Sequence, residues 1–118
     1  MRPEDANDEL FLRIADRLKA LSDPTRLKIL HALEDGERTV TEILEVVGGS
    51  QANVSKHLSR MRLAGIVASR REGTCVHYRV VDPAAFVICR TVCDALERRA
   101  DDEHRTILRA RAAQQGDR

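Results

Sequence analysis

The sequence predicts a mainly α-helical fold with one small β-hairpin, and three observations carry that prediction. Apolar residues recur at three- and four-residue spacing along most of the 118 positions. A single stretch, from Ile66 to Val81, turns β-branched and alternating around Glu72-Gly73. The composition agrees: 42% hydrophobic, 33% charged and 3% aromatic residues describe a helix-leaning chain too apolar to stay disordered. The length suits one domain over 1–118, with its core expected over about 8–98 and a polar tail over 101–118.

Each element has a local reason. Leu10, Phe11, Ile14, Leu18 and Leu21 make the stripe of a first helix. Ser22 or Asp23 can cap a second helix, with Pro24 at its first position, where a missing N–H costs nothing. Leu27, Ile29, Leu30 and Leu33 continue it to a stop at Asp35-Gly36. Thr39 and Glu42 form a capping box before Ile43, Leu44, Val46 and Val47, and Gly48-Gly49 ends that short third helix. Ser50 caps a fourth helix with Val54, Leu58, Met61 and Leu63 as its apolar positions, and Gly65 closes it. The hairpin strands are expected at Ile66–Arg71 and Thr74–Val81. Asp82-Pro83 then opens a last helix with Phe86, Cys89, Val92, Cys93 and Leu96 on one stripe, frayed over Gln114 to Arg118.

Charge is unevenly placed. The whole chain sums to +1, yet Ser50 to Arg71 holds five basic residues, one histidine and no acid. Positive charge concentrated on a near-neutral chain is the footprint of phosphate binding. A short helix, a Gly-Gly-Ser turn and a basic helix make a helix-turn-helix, and the hairpin behind it a wing. With Val54, Leu58 and Met61 inward, Gln51, Ala52, Ser55, Lys56 and Ser59 face outward as candidate contacts to double-stranded DNA. Gln51 can pair with adenine, Lys56 with guanine or phosphate, and Ala52 can touch a thymine methyl. Arg60, Arg62, Arg70 and Arg71 are candidate phosphate anchors. His57 is expected to hydrogen-bond or pack rather than to bind metal.

Several function classes are disfavoured. Few aromatics argue against single-strand and RNA platforms, which stack bases on rings. Neither a phosphate loop nor a nucleophile–base–acid constellation is present, so no enzyme is expected. No apolar run reaches the roughly 18 residues that would cross a membrane, and Met1 to Glu9 is acidic, unlike a signal peptide. A cytoplasmic location follows as the expectation, with three free thiols. A pure protein-interaction module would explain the shape but not the acid-free stripe.

Ala20-Leu21-Ser22-Asp23-Pro24-Thr25-Arg26-Leu27-Lys28-Ile29-Leu30, Ser50-Gln51-Ala52-Asn53-Val54-Ser55-Lys56-His57-Leu58 and Ala64-Gly65-Ile66-Val67 together resemble the ArsR/SmtB family. Arg71-Glu72-Gly73 and Tyr78-Arg79 extend the likeness into the wing, so it covers about residues 8–98. The resemblance implies a homodimeric bacterial repressor with a winged helix-turn-helix fold, leaving a near-palindromic operator when an inducer binds. It also implies dimerisation through the first and last helices. Leu10, Phe11, Ile14 and Leu18, with Phe86, Val92 and Leu96, are the stripes available for that.

The sensor sites of familiar members are absent. Arsenic-sensing members carry Cys-Val-Cys where this chain has Thr39-Val40-Thr41. Zinc-sensing members use Asp and His early in the last helix and His with Glu or His later; here Asp82 is followed by Ala84, Ala95 and Arg98. What remains is Cys89 and Cys93, four apart on one helix face with Cβ atoms about 5–6 Å apart. That is wide for a disulfide, whose Cβ atoms lie near ~3.8 Å, and suits a thiophilic ion held between two sulfurs. The candidate inducers are therefore arsenite, antimonite or another soft metal ion, with no cofactor needed for DNA binding. Cys75, expected to face outward on the second hairpin strand, is a candidate third ligand; His77 beside it leaves a mixed Cys/His site open. The alternatives are thiol redox or persulfide chemistry on the same cysteines, aided by Arg90 or Arg71, and inert packing cysteines. A cation on Asp101-Asp102-Glu103-His104 is the weaker reading beside a solvated helix end.

Overall fold

The computed structural model describes residues 7–116. The acidic stretch read from Met1 onward lies outside the described residues as far as position 6, as does the chain end at 117–118. The described residues fall into two compact units, one through Phe86 and one from Val87 on.

In the first unit, α1 (Asp8–Leu21) starts where the Asn7 side chain accepts from the Leu10 N–H. α2 (Pro24–Ala32) is capped by Asp23 with Pro24 at its first position, as its sequence dictates. It stops at Ala32, earlier than Asp35-Gly36, because Leu33 to Asp35 already turn and the Arg38 Nε–H donates to the freed Ala32 carbonyl at 2.7 Å. β1 is the two-residue strand Arg38–Thr39. α3 (Val40–Val47) carries the full reciprocal capping box of Thr39 and Glu42 and ends at Gly48. α4 (Gln51–Leu63) is capped by the Ser50 hydroxyl, which accepts from the Asn53 N–H at 3.1 Å. Gly65 follows at φ +77, the left-handed conformation that an L side chain resists.

The wing is β2 (Val67–Glu72) and β3 (Cys75–Val80), turning at Gly73. The expected hairpin is thus one edge of a three-stranded antiparallel sheet in the order β1-β3-β2. Arg38 faces Tyr78 and Thr39 faces His77, so β1 ties the start of α3 to the wing. A two-residue strand has no alternation to detect, which is why the sequence conceals it.

Ile29, Leu30, Ile43, Val54, Leu58, Met61 and Ile66 are fully buried and form the core between α2, α3, α4 and the start of the wing. Leu63, read as an apolar helix position, is 84% exposed. It lies two residues after Met61, which turns it onto the opposite side of α4.

α5 (Ala84–Gly116) is a single 33-residue helix. At 1.5 Å per residue it extends about 50 Å. The segment 101–118 is expected as a polar tail, frayed from Gln114 on; its described part is helix through Gly116. The Arg99–Glu103 ion pair, four residues apart, supports helix where apolar spacing is thin. Among the described residues no helix is long and apolar enough to cross a membrane.

Candidate nucleic-acid interface

α3, the Gly48-Gly49 turn and α4 form the helix-turn-helix, and both glycines take positive φ (+78 and +83). Val54, Leu58 and Met61 lock one side of α4 into the core. That fixes the other side outward: Gln51, Ala52, Lys56, Ser59, Arg60 and Arg62 are exposed, and Ser55 is half-buried. The first turn of α4 carries no acid, so its N–H groups present the positive end of the helix dipole. Asn53 is also exposed in this turn, and the sequence reading missed it. Its position beside the inward Val54 hid it, although Asn suits adenine as well as Gln does.

The wing alters the charge count. The Arg70 guanidinium donates from Nε to both Glu37 carboxylate oxygens at 2.9 Å and from NH1 to Glu72 at 3.0 Å. These bonds raise the Arg70 pKa further above its ordinary value and hold the Glu37 carboxyl below its own. His77 stands opposite Arg70 in the register, 3.6 Å from a carboxylate oxygen of Glu37 and of Glu72. Arg70, expected as a phosphate anchor, is thus occupied within the protein. Its partner Glu37 lies 33 residues away, outside the acid-free window. Arg71 is exposed and makes no ion pair among the described residues.

Behind α4 lies a polar cluster. Arg26 is the buried charged side chain of the first unit, 8% exposed. Its Nε–H donates to the Ala20 carbonyl at 2.7 Å and NH2 to the Lys19 carbonyl at 2.9 Å, while NH1 lies 3.3 Å from His57 Nδ1. The Asp23 carboxylate accepts from the Arg26 backbone N–H at 3.1 Å, which pulls its pKa below the usual carboxylate value. His57 therefore hydrogen-bonds, as its sequence position suggested.

All three cysteines are free thiols: Cys75 and Cys93 exposed, Cys89 half-buried. Cys75 pairs with Glu72 at the wing tip, whereas His77 turns to Glu37 and Glu72. Cys89 and Cys93 share one face of α5, and Cys93 Sγ lies 3.8 Å from Glu97 Oε1. The negative charge of Glu97, with lesser effects from partial burial and Asp94, raises the Cys93 thiol pKa. Among the described residues no His, Cys, Asp or Glu side chains form a group of three able to hold a metal. Cys89 and Cys93 thus make a pair of thiols on one helix face, short of a three-ligand group.

A helix-turn-helix backed by a three-stranded wing defines the class: a winged helix-turn-helix protein. The profile of the bacterial regulatory proteins of the arsR family matches residues 23–69, from the α2 cap to the first wing strand. The HTH-type transcriptional regulator MJ1325 of Methanocaldococcus jannaschii is 39% identical over 85 residues, covering 71% of this chain and 96% of its own. The chain belongs to the ArsR family. KmtR of Mycobacterium tuberculosis is 36% identical over 78 residues, covering 66% of this chain and 60% of KmtR. The cadmium resistance regulatory protein CadC homologue of Staphylococcus aureus is 39% identical over 70 residues, or 58% of each chain. The chain thus spans about three fifths of these two relatives. Among solved structures, the homodimeric winged helix-turn-helix domain Mb0332 of Mycobacterium bovis aligns with TM-score 0.69 and 33% identity, over 79% of this chain and 93% of that one. The antimony-specific repressor AntR aligns with TM-score 0.72 and 28% identity, over 86% and 96%.

Proposed function

We propose that this chain is a single-domain cytoplasmic repressor that binds operator DNA as a homodimer and lets go when a thiophilic metal ion engages Cys89 and Cys93. The observation that carries the DNA half is the exposed, acid-free outer face of α4. Gln51, Asn53, Ala52, Ser55 and Lys56 are its base readers; Ser59, Arg60, Arg62 and Arg71 are its backbone contacts. The homodimeric Mb0332 domain supports two-fold assembly. So do the exposed apolar residues Phe11, Ile14 and Leu18 on α1 and Val92 and Leu96 on α5.

The electrostatics of α5 favour a soft metal cation over arsenite or antimonite as inducer. Glu97 and Asp94 beside Cys93 attract a divalent cation but offer nothing to a neutral metalloid hydroxide. The same charges oppose the free thiolate that peroxide or persulfide chemistry needs, whereas a bound cation would displace the thiol proton and offset them. The cadmium named for a similar regulator is a thiophilic cation and supports this reading, while the antimony named for another supports only thiol ligation in general. Two thiols per protomer imply that further ligands come from elsewhere, the partner subunit's helix included. Binding would release DNA only by favouring a dimer that mis-spaces the recognition helices, a coupling of about 1–3 kcal/mol or more.

The test uses a duplex selected from a random pool by the wild-type protein. Binding should fall steeply with salt, and cadmium should release the DNA from wild type but not from a Cys89→Ser, Cys93→Ser double variant. Salt-independent binding would overturn the DNA reading, and unchanged release in the double variant would overturn the sensor.

A further inference from the structure

We propose that His57 is a positioning residue for the recognition helix α4, held in register by the buried Arg26 guanidinium. The proposal rests on the DNA-binding reading of α4. Burying a guanidinium is costly unless its N–H groups find acceptors. Two of them find the Lys19 and Ala20 carbonyls at the end of α1, where the helix dipole is negative. NH1 has His57 Nδ1 at 3.3 Å. A guanidinium only donates, so in this contact Nδ1 is the acceptor and the ring N–H sits at Nε2. His57 thereby joins α4 to the ends of α1 and α2 through one buried group.

The contact matters because of where it falls. His57 follows Lys56 and Ser55 directly and precedes the core residue Leu58. Val54, Leu58 and Met61 hold α4 by apolar contact, which is non-directional and tolerates small rotations about the helix axis. A hydrogen bond has a preferred direction and resists them. Base readers tolerate little such freedom, since recognition groups must be held to within about 0.5 Å. The ring side chain is only 14% exposed, so water competes poorly for the bond. The other charged group facing it is the Asp23 carboxylate, with Oδ2 at 3.8 Å from the same Nδ1.

His57→Leu removes the acceptor, and His57→Asn restores one, its Oδ1 standing where Nδ1 stands. Affinity is measured for the selected duplex and for a random-sequence duplex. The expected result for His57→Leu is about tenfold weaker binding to the selected duplex, equivalent to about 1.4 kcal/mol, with random-duplex binding within about twofold of wild type. His57→Asn should recover the selected-duplex affinity. A mere loss of folded protein lowers both affinities together, so a parallel fall overturns the proposal, as do unchanged binding or failed rescue by Asn. If His57→Leu does not fold, His57→Ala and His57→Gln are measured on the same two duplexes; a parallel fall on both duplexes, or unchanged binding, overturns the proposal. Absence of any preference for the selected duplex in wild type would instead sink the DNA reading itself.

Discussion

Arg70 and Arg71 are neighbours of identical chemistry with different occupations. Successive strand residues face opposite sides of a sheet, so Arg70 meets Glu37 and Glu72 while Arg71 meets neither. Moving Arg70 to a phosphate would strand the Glu37 carboxylate beside DNA, an arrangement repulsive to the polyanion. Arg71 bears no such cost. Arg71→Ala should therefore weaken binding to selected and random duplexes alike and reduce the slope of log affinity against log salt by about 0.9, the share of one phosphate. Arg70→Ala should leave that slope within error and act on wing stability instead. Equilibrium binding at four or five salt concentrations separates the two. A slope change with Arg70→Ala and none with Arg71→Ala would reverse the assignment.

Caps and breakers organise the elements of the first unit, and these were the most legible part of the chain. Asp23, Thr39 with Glu42, and Ser50 each act locally, within three residues of the N–H they satisfy, so sequence alone locates them. Gly65 belongs with them: its left-handed φ of +77 ends α4 and turns the chain into Ile66 and β2. A Cβ built there would meet only the Arg17 guanidinium at 3.9 Å, an ordinary contact, so any cost of Gly65→Ala is backbone strain. That substitution should cost roughly 1–2 kcal/mol, read as a lower urea midpoint with an unchanged m-value. What sequence did not disclose were interactions between distant positions. The pairing of β1 with β3 joins residues about forty apart, and Glu37 reaches Arg70 across 33. The long run of α5 past Arg99 was hidden for another reason: its apolar stripe thins beyond Leu96, and the Arg99–Glu103 pair four residues apart is the local support there. The outward face of α4 was accordingly legible, because helical periodicity rules there, whereas the pairing of Arg70 on the wing depends on a residue distant in sequence. Cys89 and Cys93 were legible only as a four-residue spacing, since what surrounds a thiol pair is not written in one chain's local pattern.

For the whole molecule, acidity should act unevenly. The carboxyls of Asp23, Glu37 and Glu42 are all held below the ordinary range, mainly by the Arg26 N–H, the Arg70 guanidinium and the Thr39 N–H respectively. All three belong to the unit that carries the helix-turn-helix. A carboxyl with a lower pKa in the folded state binds fewer protons there than when unfolded. Its contribution to stability is therefore complete above the unfolded value of about 4 and is lost as pH falls through the folded value. Stability of the first unit should decline on acidification below that range, with the wing and the α2 and α3 caps loosening together. Urea unfolding at a series of pH values, with hydrogen exchange to resolve the units, measures this directly. Glu37→Gln should flatten the dependence because it removes one of the three titrating groups and leaves Arg70 with Glu72 alone. If the variant keeps the wild-type slope, the acid sensitivity resides in other carboxylates and the Glu37–Arg70 pair contributes no pH-dependent stability to the wing.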